Sequence, residues 1–158
     1  MADAVERFEE AARALGSAVA VRRFPEGTRT AADAAAAIGC GVGQIVKSLV
    51  FVGDGGAFLA LTSGSNRADP ARLALLLGDT SPVRKATAEE AREATGFAIG
   101  GTPPFGHPRH LRVFVDRDLM AHPGVWAAAG TPDSVFPISP QDLLRLSGGH
   151  VVDLKVEG

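Results

Sequence analysis

The sequence has little cysteine, few aromatic residues and almost no excess of charge of either sign. Cys40 is its only cysteine, tyrosine is absent, and aromatic residues make up 6% of the chain. A single cysteine cannot form an internal disulfide, so we expect a reducing, cytoplasmic setting. The formal net charge of -2 excludes a basic field over the whole protein. Tight, non-specific duplex binding is therefore not expected, and DNA is not an expected partner.

Long hydrophobic runs are also absent. No segment has the length and apolarity of a membrane span, so a membrane is not an expected partner. The first ten residues alternate acidic with apolar residues, unlike the basic-then-apolar order of a signal peptide. What the chain does have is 46% hydrophobic residues over 158 positions. That content suits a single domain, residues 1–158, with a real core.

Helix start and stop signals divide the chain into regular segments. Capping residues, proline at the first helical position and glycine after the last turn mark helix ends. These signals predict five helices: from Val5 to Leu15, closed by Gly16; from Ala31 to Ala37, capped by Thr30 and closed by Gly39; from Asp69-Pro70 to Gly78; from the Thr87 capping box to Gly96; and from Ser139-Pro140 through Leu146.

Strand signals point to a mixed sheet. Two apolar runs, 48–52 and 57–62, bracket Gly53-Asp54-Gly55-Gly56, which predicts a β-hairpin because glycine adopts positive φ angles. Further strands are expected at 19–24, 111–115, 125–128 and 150–154. Several of these strands are joined by short turns rather than helices, which favours an α+β fold over a doubly wound parallel sheet.

Lys47 stands where the apolar run of the first hairpin strand begins. A buried lysine needs a partner anion or a lowered pKa, and both lead toward a binding site. The alternative is a lysine at the exposed mouth of a strand, with its stem over apolar neighbours and its ammonium in water.

The segment 100–108 reads GGTPPFGHP. Its glycines expose backbone amides and its prolines stiffen the path between them, so the loop is suited to hold a carboxyl, carbonyl or phosphate oxygen. A long surface turn is the alternative. His107 is a further candidate for proton transfer, although a lone loop histidine more often stabilises a turn.

Polar and basic residues elsewhere are weaker candidates. Asn66 and Arg67 follow the second hairpin strand and are placed to meet a phosphate or ribose, or else to form a polar turn before a helix cap. Basic side chains that would form a rim, if they converge, are Arg22, Arg23, Arg84, Lys85, Arg109 and Arg112.

No catalytic triad, phosphate-binding P-loop or dinucleotide fingerprint follows from these spacings. No ligand set for a metal is evident, so we expect no cofactor. Composition and spacing thus predict a small α+β domain with a candidate lysine and an oxygen-binding loop. They do not indicate which reaction the protein catalyses.

Four segments, in matching order and spacing, resemble the YbaK/EbsC family over most of the chain. They are TRTA at 28–31, QIVKSLVF at 44–51, GSNRAD at 64–69 and GGTPPFG at 100–106. That family is similar to the editing insertion domain of bacterial prolyl-tRNA synthetases, and its characterised members hydrolyse wrongly charged aminoacyl-tRNA in trans. The resemblance implies a single compact domain whose mixed, mostly antiparallel, curved sheet is flanked by helices.

The resemblance also implies a site. Lys47 matches the family's signature lysine, and Gly100, Gly101 and Pro104 fall in its glycine/proline loop near the aminoacyl ester. Residues 128–131 (AAGT) occupy the region where several relatives carry a small polar pair, so cysteinyl, prolyl and alanyl esters stay open. The full assignment is catalysis by Lys47 and Gly101, with substrate binding by Thr28, Ser48, Asn66, Arg67, Gly100, Pro104, His107 and Gly130.

The expected function is therefore a freestanding aminoacyl-tRNA deacylase in which water or a substrate group attacks the ester. Its partners would be the acceptor end of aminoacyl-tRNA and an aminoacyl-tRNA synthetase. Two alternatives remain at this point: a non-catalytic module that binds a tRNA end or a synthetase, and a hydrolase of other small esters or amides.

Overall fold

The computed structural model describes residues 3–24 and 30–157. Within these ranges the helices are α1 (Ala4–Ala14), α2 (Ala31–Ile38), α3 (Pro70–Leu77), α4 (Ala88–Thr95) and α5 (Pro140–Ser147). The strands are β1 (Arg22–Arg23), β2 (Ile45–Gly53), β3 (Gly56–Ser63), β4 (Arg84–Lys85), β5 (Val113–Asp116), β6 (Val125–Ala128), β7 (Ser134–Ile138) and β8 (His150–Val152). None of these helices is long and apolar enough to cross a membrane.

The capping signals place all five helices. At α4, the Thr87 side chain accepts from the Glu90 N–H while the Glu90 carboxylate accepts from the Thr87 N–H, so two backbone donors at the helix start are satisfied. Asp69 caps α3 by accepting hydrogen bonds from the N–H groups of Ala71 and Arg72, and Pro70 lies in the first turn. Glycines in the left-handed conformation end α2, α3, α4 and α5. The prediction of the five α-helices is confirmed, whereas two short 3-10 helices, Val42–Gln44 and Arg117–Ala121, were not predicted.

Strand prediction is confirmed in part. The hairpin forms as β2 and β3, with Gly53 opposite Gly56. The first predicted strand shrinks to β1, and the last ends at Val152. Two strands, β4 and β7, were not predicted. Strand β7 contains Pro137, which breaks the sequence signal but is tolerated here because β1 pairs only with Ser134 and Val135, leaving Pro137 on an open edge.

The sheet runs in the order β1-β7-β6-β2-β3-β5-β8, with β4 also paired to β2. Four of its pairings are antiparallel and three are parallel, which confirms the mixed α+β sheet. The edge of β2 that faces away from β3 pairs with two different strands. Strand β6 pairs with it at Ile45 and Val46, and β4 pairs with it at Phe51 and Val52. Between those two pairings the sheet has a break.

Hydrophobic clusters cover both faces of the sheet. Alternation along the strands sends Leu59 and Leu61 into one cluster, with Phe8 of α1, and sends Phe58 and Ala60 into the other. In the first cluster the ring of Phe8 lies 5.4 Å from that of Phe105 and 4.9 Å from that of Phe136. These contacts anchor α1 and the loop that follows α4 to the central strands.

Candidate functional site

A cavity of about 650 Å³ opens at the break in the sheet. We call it the strand-gap cavity, defined by Lys47 and Ser48 of β2, Lys85 of β4, Gly100 and Thr102 of the loop after α4, and Trp126 of β6. Apolar residues from α2, β2 and β6 form much of the remaining wall. The structure thus brings the predicted lysine and the predicted glycine-rich loop to one cavity.

Lys47 is half-buried at this cavity. Its Nζ donates a hydrogen bond to the backbone carbonyl oxygen of Asn66 at 2.6 Å. Burial lowers the pKa of Lys47, the charge of Lys85 lowers it further, and the carboxylate of Asp116 partly offsets both. An ammonium has three N–H donors, and the described residues accept from one of them. Two donors therefore remain for a ligand.

A polar network holds the carbonyl group that Lys47 contacts. The Asn66 side-chain amide donates to Asp116 and to Asp118, each at 2.8 Å, and Lys155 donates to Asp118 at 2.8 Å. Asp116 is 1% exposed and also accepts from the Ser63 N–H at 3.0 Å. Hydrogen bonds from Lys155 and then Asn66 lower the pKa of Asp118. With its side chain held by two carboxylates, Asn66 presents its carbonyl oxygen in a fixed position.

Sequence reasoning missed Asp116, Asp118 and Lys155. The signal for the two carboxylates was present, because Asp116 ends the apolar strand β5 and Asp118 follows it. Lys155 had no such signal, since it reaches the site through an isolated bridge to Ala68 beyond the last strand.

The loop after α4 is shaped by close packing. A Cβ on Gly101 would lie 2.7 Å from the Cα of Thr131 and 2.8 Å from the carbonyl oxygen of Gly130. The Gly101 N–H donates to the Ala98 carbonyl oxygen at 3.1 Å, so it is not available to a ligand. In the part of the chain that the structure describes, the N–H groups of Gly100 and Thr102 make no hydrogen bond. These two amides, rather than that of Gly101, are the donors the loop offers.

Gly130 lies behind this loop rather than at the cavity surface. Its φ angle is 119°, and a Cβ would lie 2.6 Å from the carbonyl oxygen of Ala4. The glycine therefore allows the start of α1 to approach the segment that supports Gly101.

The remaining predicted residues lie elsewhere. Arg67 is exposed at the turn before α3, and Pro104 is buried within its loop. His107 lines a second cavity, of about 680 Å³, which we call the helix-loop cavity and define by Arg7, Phe97, Phe105, His107, Arg109 and Leu146. Its Nε2 donates to the Pro103 carbonyl oxygen at 2.7 Å, and burial lowers the pKa of His107 despite that bond. Thr28 lies outside the described residues. The substrate roles assigned to these residues stay predictions.

The six basic side chains do not form one rim. Lys85 lines the strand-gap cavity, and the Arg22 guanidinium lies over the Trp126 ring at 5.5 Å from its centroid. The others are engaged elsewhere: Arg23 with Asp3, Arg84 with Glu90, Arg109 at the helix-loop cavity and Arg112 over Phe114. In the described part of the chain, the positive charge beside the strand-gap cavity therefore comes from Lys47, Lys85 and Arg22.

Comparison with known proteins gives consistent results. Residues 25–146 match the family described as the aminoacyl-tRNA editing domain. An uncharacterised Bacillus subtilis protein, YwhH, is 30% identical over 132 residues, which cover 83% of each chain. A proline–tRNA ligase of Nitratidesulfovibrio vulgaris is 32% identical over 119 residues, which are 75% of this chain but 21% of the ligase. A crystal structure described as a candidate trans-editing enzyme for prolyl-tRNA synthetase is 49% identical, covers 99% of both chains and superposes with a TM-score of 0.93.

Proposed function

Because the chain belongs to the aminoacyl-tRNA editing domain family, with residues 25–146 matching it, we propose that the protein is a trans-editing deacylase of mischarged aminoacyl-tRNA. The reaction adds water, or a substrate group, to the ester carbonyl and breaks the C–O bond to the terminal ribose. The observation that carries the proposal is a half-buried ammonium, Lys47, at a cavity lined by loop amides, with two donors that no described residue accepts. The expected YbaK-type family is confirmed by the same match.

Lys47 would act by charge. In a partly buried cavity, an ammonium interacts more strongly with an anion than it would in water. Its two remaining donors would engage the phosphate or the ester oxygen atoms at the tRNA end. The N–H groups of Gly100 and Thr102 would hold the carbonyl oxygen as negative charge develops on it. Gly101 would contribute shape to this arrangement, since its N–H is bonded to Ala98.

The cavity wall supports attack by water or by a group on the substrate. Ser48, Thr30 and Thr102 line it, but among the described lining residues there is no histidine, aspartate or glutamate. A serine or threonine nucleophile needs a neighbouring base to be activated. Positioning and electrostatic stabilisation would therefore supply most of the rate enhancement.

The substrate would be recognised at its acceptor end. Among residues 3–24 and 30–157, the positive charge near the cavity comes from Lys47, Lys85 and Arg22, while the whole protein carries -2. Such a small patch suits modest affinity that falls as salt rises. Cysteinyl-, prolyl- and alanyl-tRNA are the proposed substrates, and an aminoacyl-tRNA synthetase, such as the prolyl enzyme named for two relatives, is a proposed partner.

Deacylation of a panel of tRNAs carrying cysteine, alanine or proline tests the proposal. We expect selective turnover by the wild type and a loss of at least about 100-fold in kcat/KM in Lys47→Ala, the size typical of removing a charge-stabilising donor. Arg13→Ala is the matched control, because it removes one exposed cation of α1 away from the cavity. Wild-type activity in Lys47→Ala would contradict the assigned role.

A non-catalytic module that binds a tRNA end or a synthetase is the second candidate. The absence of a nucleophile and base pair among the described lining residues favours it. Saturable binding of aminoacyl-tRNA with no turnover across the panel would establish it in place of the deacylase.

A further inference from the structure

Ser48 carries polar groups that the fold leaves without partners. It lines the strand-gap cavity, and its Oγ is buried with no hydrogen-bond partner in residues 3–24 and 30–157. A buried hydroxyl without a partner destabilises a folded protein unless another molecule supplies the bond. The hydroxyl lies on the face of β2 that it shares with Val46 and Val50, whereas Lys47 projects from the opposite face.

The main chain of Ser48 faces the break in the sheet. A two-residue turn closes on a hydrogen-bonded pair, here Gly53 with Gly56, and such pairs then alternate along β2. Counting back, Lys47 and Leu49 turn their N–H and C=O groups toward β3. Ser48 turns its own groups toward the opposite edge.

Two observed hydrogen bonds support this assignment. Gly64 of the β3 side donates to the Ile45 carbonyl oxygen at 2.7 Å, and Ala86, which follows β4, donates to the Val50 carbonyl oxygen at 2.9 Å. Odd-numbered residues of β2 therefore face β3, and even-numbered residues face β6 and β4. The pairings of β6 and β4 with β2 do not include Ser48. The gap from Val46 to Val50 is about 13 Å long at a rise of about 3.3 Å per residue.

We infer that the aminoacyl group of the substrate binds in this break as a one-residue strand paired with Ser48. Its α-ammonium donates to the carbonyl and hydroxyl oxygens of Ser48. Its ester carbonyl oxygen accepts from the Ser48 N–H, in addition to the amides of Gly100 and Thr102. In an antiparallel sheet, two opposed residues exchange the same two bonds. An α-amino acid ester offers one N–H side and one C=O side, so it fits the edge that Ser48 leaves open.

This inference rests on the proposed deacylase function and adds that the acyl group of the substrate must carry a free α-ammonium group. The test compares an accepted aminoacyl-tRNA with the same tRNA carrying the acyl group without its amine. The pairs are alanyl- with propionyl-tRNA, cysteinyl- with 3-mercaptopropionyl-tRNA, and prolyl- with cyclopentanecarbonyl-tRNA. Each enzymatic rate is divided by the spontaneous rate, because a protonated amine itself activates the ester.

We compare the rate acceleration by the wild type, which is the enzymatic rate divided by the spontaneous rate. It is expected to be at least about tenfold smaller for the amine-free ester than for the aminoacyl ester, because hydrogen bonds to a charged group are lost. Ser48→Ala is expected to lower kcat/KM about tenfold on the aminoacyl ester and less than about twofold on the amine-free ester. Ser48→Thr keeps the hydroxyl and is expected to restore the preference for the aminoacyl ester over the amine-free ester.

Thermal unfolding separates this role from a structural one. Ser48→Ala removes a buried hydroxyl without a partner, so its Tm is expected to equal or exceed that of the wild type. A lower Tm, or equal losses on both esters, would overturn the role of the hydroxyl. Equal acceleration of both esters by the wild type would overturn the inference while leaving the deacylase intact. No turnover of any aminoacyl-tRNA would overturn both.

Discussion

The two cavities of this protein are nearly equal in size but differ in how their polar groups are used. The strand-gap cavity measures about 650 Å³ and the helix-loop cavity about 680 Å³. In the first, Lys47 keeps two unused donors and Ser48 Oγ has no partner among the described residues. In the helix-loop cavity, His107 is the residue that the sequence analysis selected for proton transfer. Its side chain donates a hydrogen bond to the carbonyl oxygen of Pro103, within the same loop.

Volume alone therefore does not identify the binding site in this fold. Buried polar groups are nearly always hydrogen-bonded in native proteins, so a cavity that leaves several of them unsatisfied is shaped for a ligand. His107 shows the opposite case, in which a polar side chain stabilises its own loop. Three predictions test this difference between the cavities.

Gly101→Ala should have the largest effect, because it forces the loop between the two cavities out of position. Its Cβ would meet rigid backbone, the Cα of Thr131 at 2.7 Å and the Gly130 carbonyl oxygen at 2.8 Å. We expect a loss of about 3 kcal/mol in the free energy of unfolding, measured in urea, and a matching loss of deacylation. Gly55→Ala in the β2–β3 turn is the control, since its Cβ would have nothing within 4 Å. Equal stability of the two variants would show that the loop is not held by this contact.

Much of the fold was predictable from local signals. Caps such as Thr87 with Glu90, and glycines such as Gly78, act within a few residues, so local signals predicted all five α-helices. Strand β7 was missed because Pro137 is acceptable only on an edge that β1 does not cover, which is a fact about tertiary pairing. Strand β4 has two residues, too few to show a period.

The candidate site shows the same distinction between features with a local sequence signal and features that depend on tertiary pairing. Lys47 and the glycine-rich loop were found because a charge within an apolar run and a cluster of glycines are visible locally. The break in the sheet was not visible, because it arises from the way β6 and β4 divide one edge of β2. Which loop amide is free was equally hidden, since the bond from Gly101 to Ala98 depends on the turn that forms.

Asn66→Asp should have an intermediate effect, because it removes the amide that Asp116 and Asp118 share and places a third carboxylate beside them. The buried Asp116 would lose a hydrogen bond and gain a like charge, so we expect a loss of about 2 kcal/mol in the free energy of unfolding. The carbonyl that positions Lys47 would shift, and kcat/KM should fall about tenfold. Ser65→Asp, which adds the same charge at the exposed neighbouring position, is the control. If both variants lose the same activity, charge rather than the Asn66 network is responsible.

His107→Gln should have the smallest effect on activity and a distinct effect on stability. Burial lowers the pKa of His107 from its ordinary value of 6.5, so as the pH falls below about 6.5 the unfolded chain takes up the proton before the folded protein does. Wild-type stability should therefore decline from about pH 6.5 downward until the lowered pKa is passed. Glutamine can still donate to the Pro103 carbonyl oxygen but does not titrate, so its variant should lose less stability between pH 7.5 and pH 5 in urea unfolding. Because His107 lies in the helix-loop cavity, we expect its replacement to change kcat/KM at pH 7.5 by less than about threefold. A strong loss of kcat/KM would instead show that His107 binds substrate, as the sequence analysis predicted.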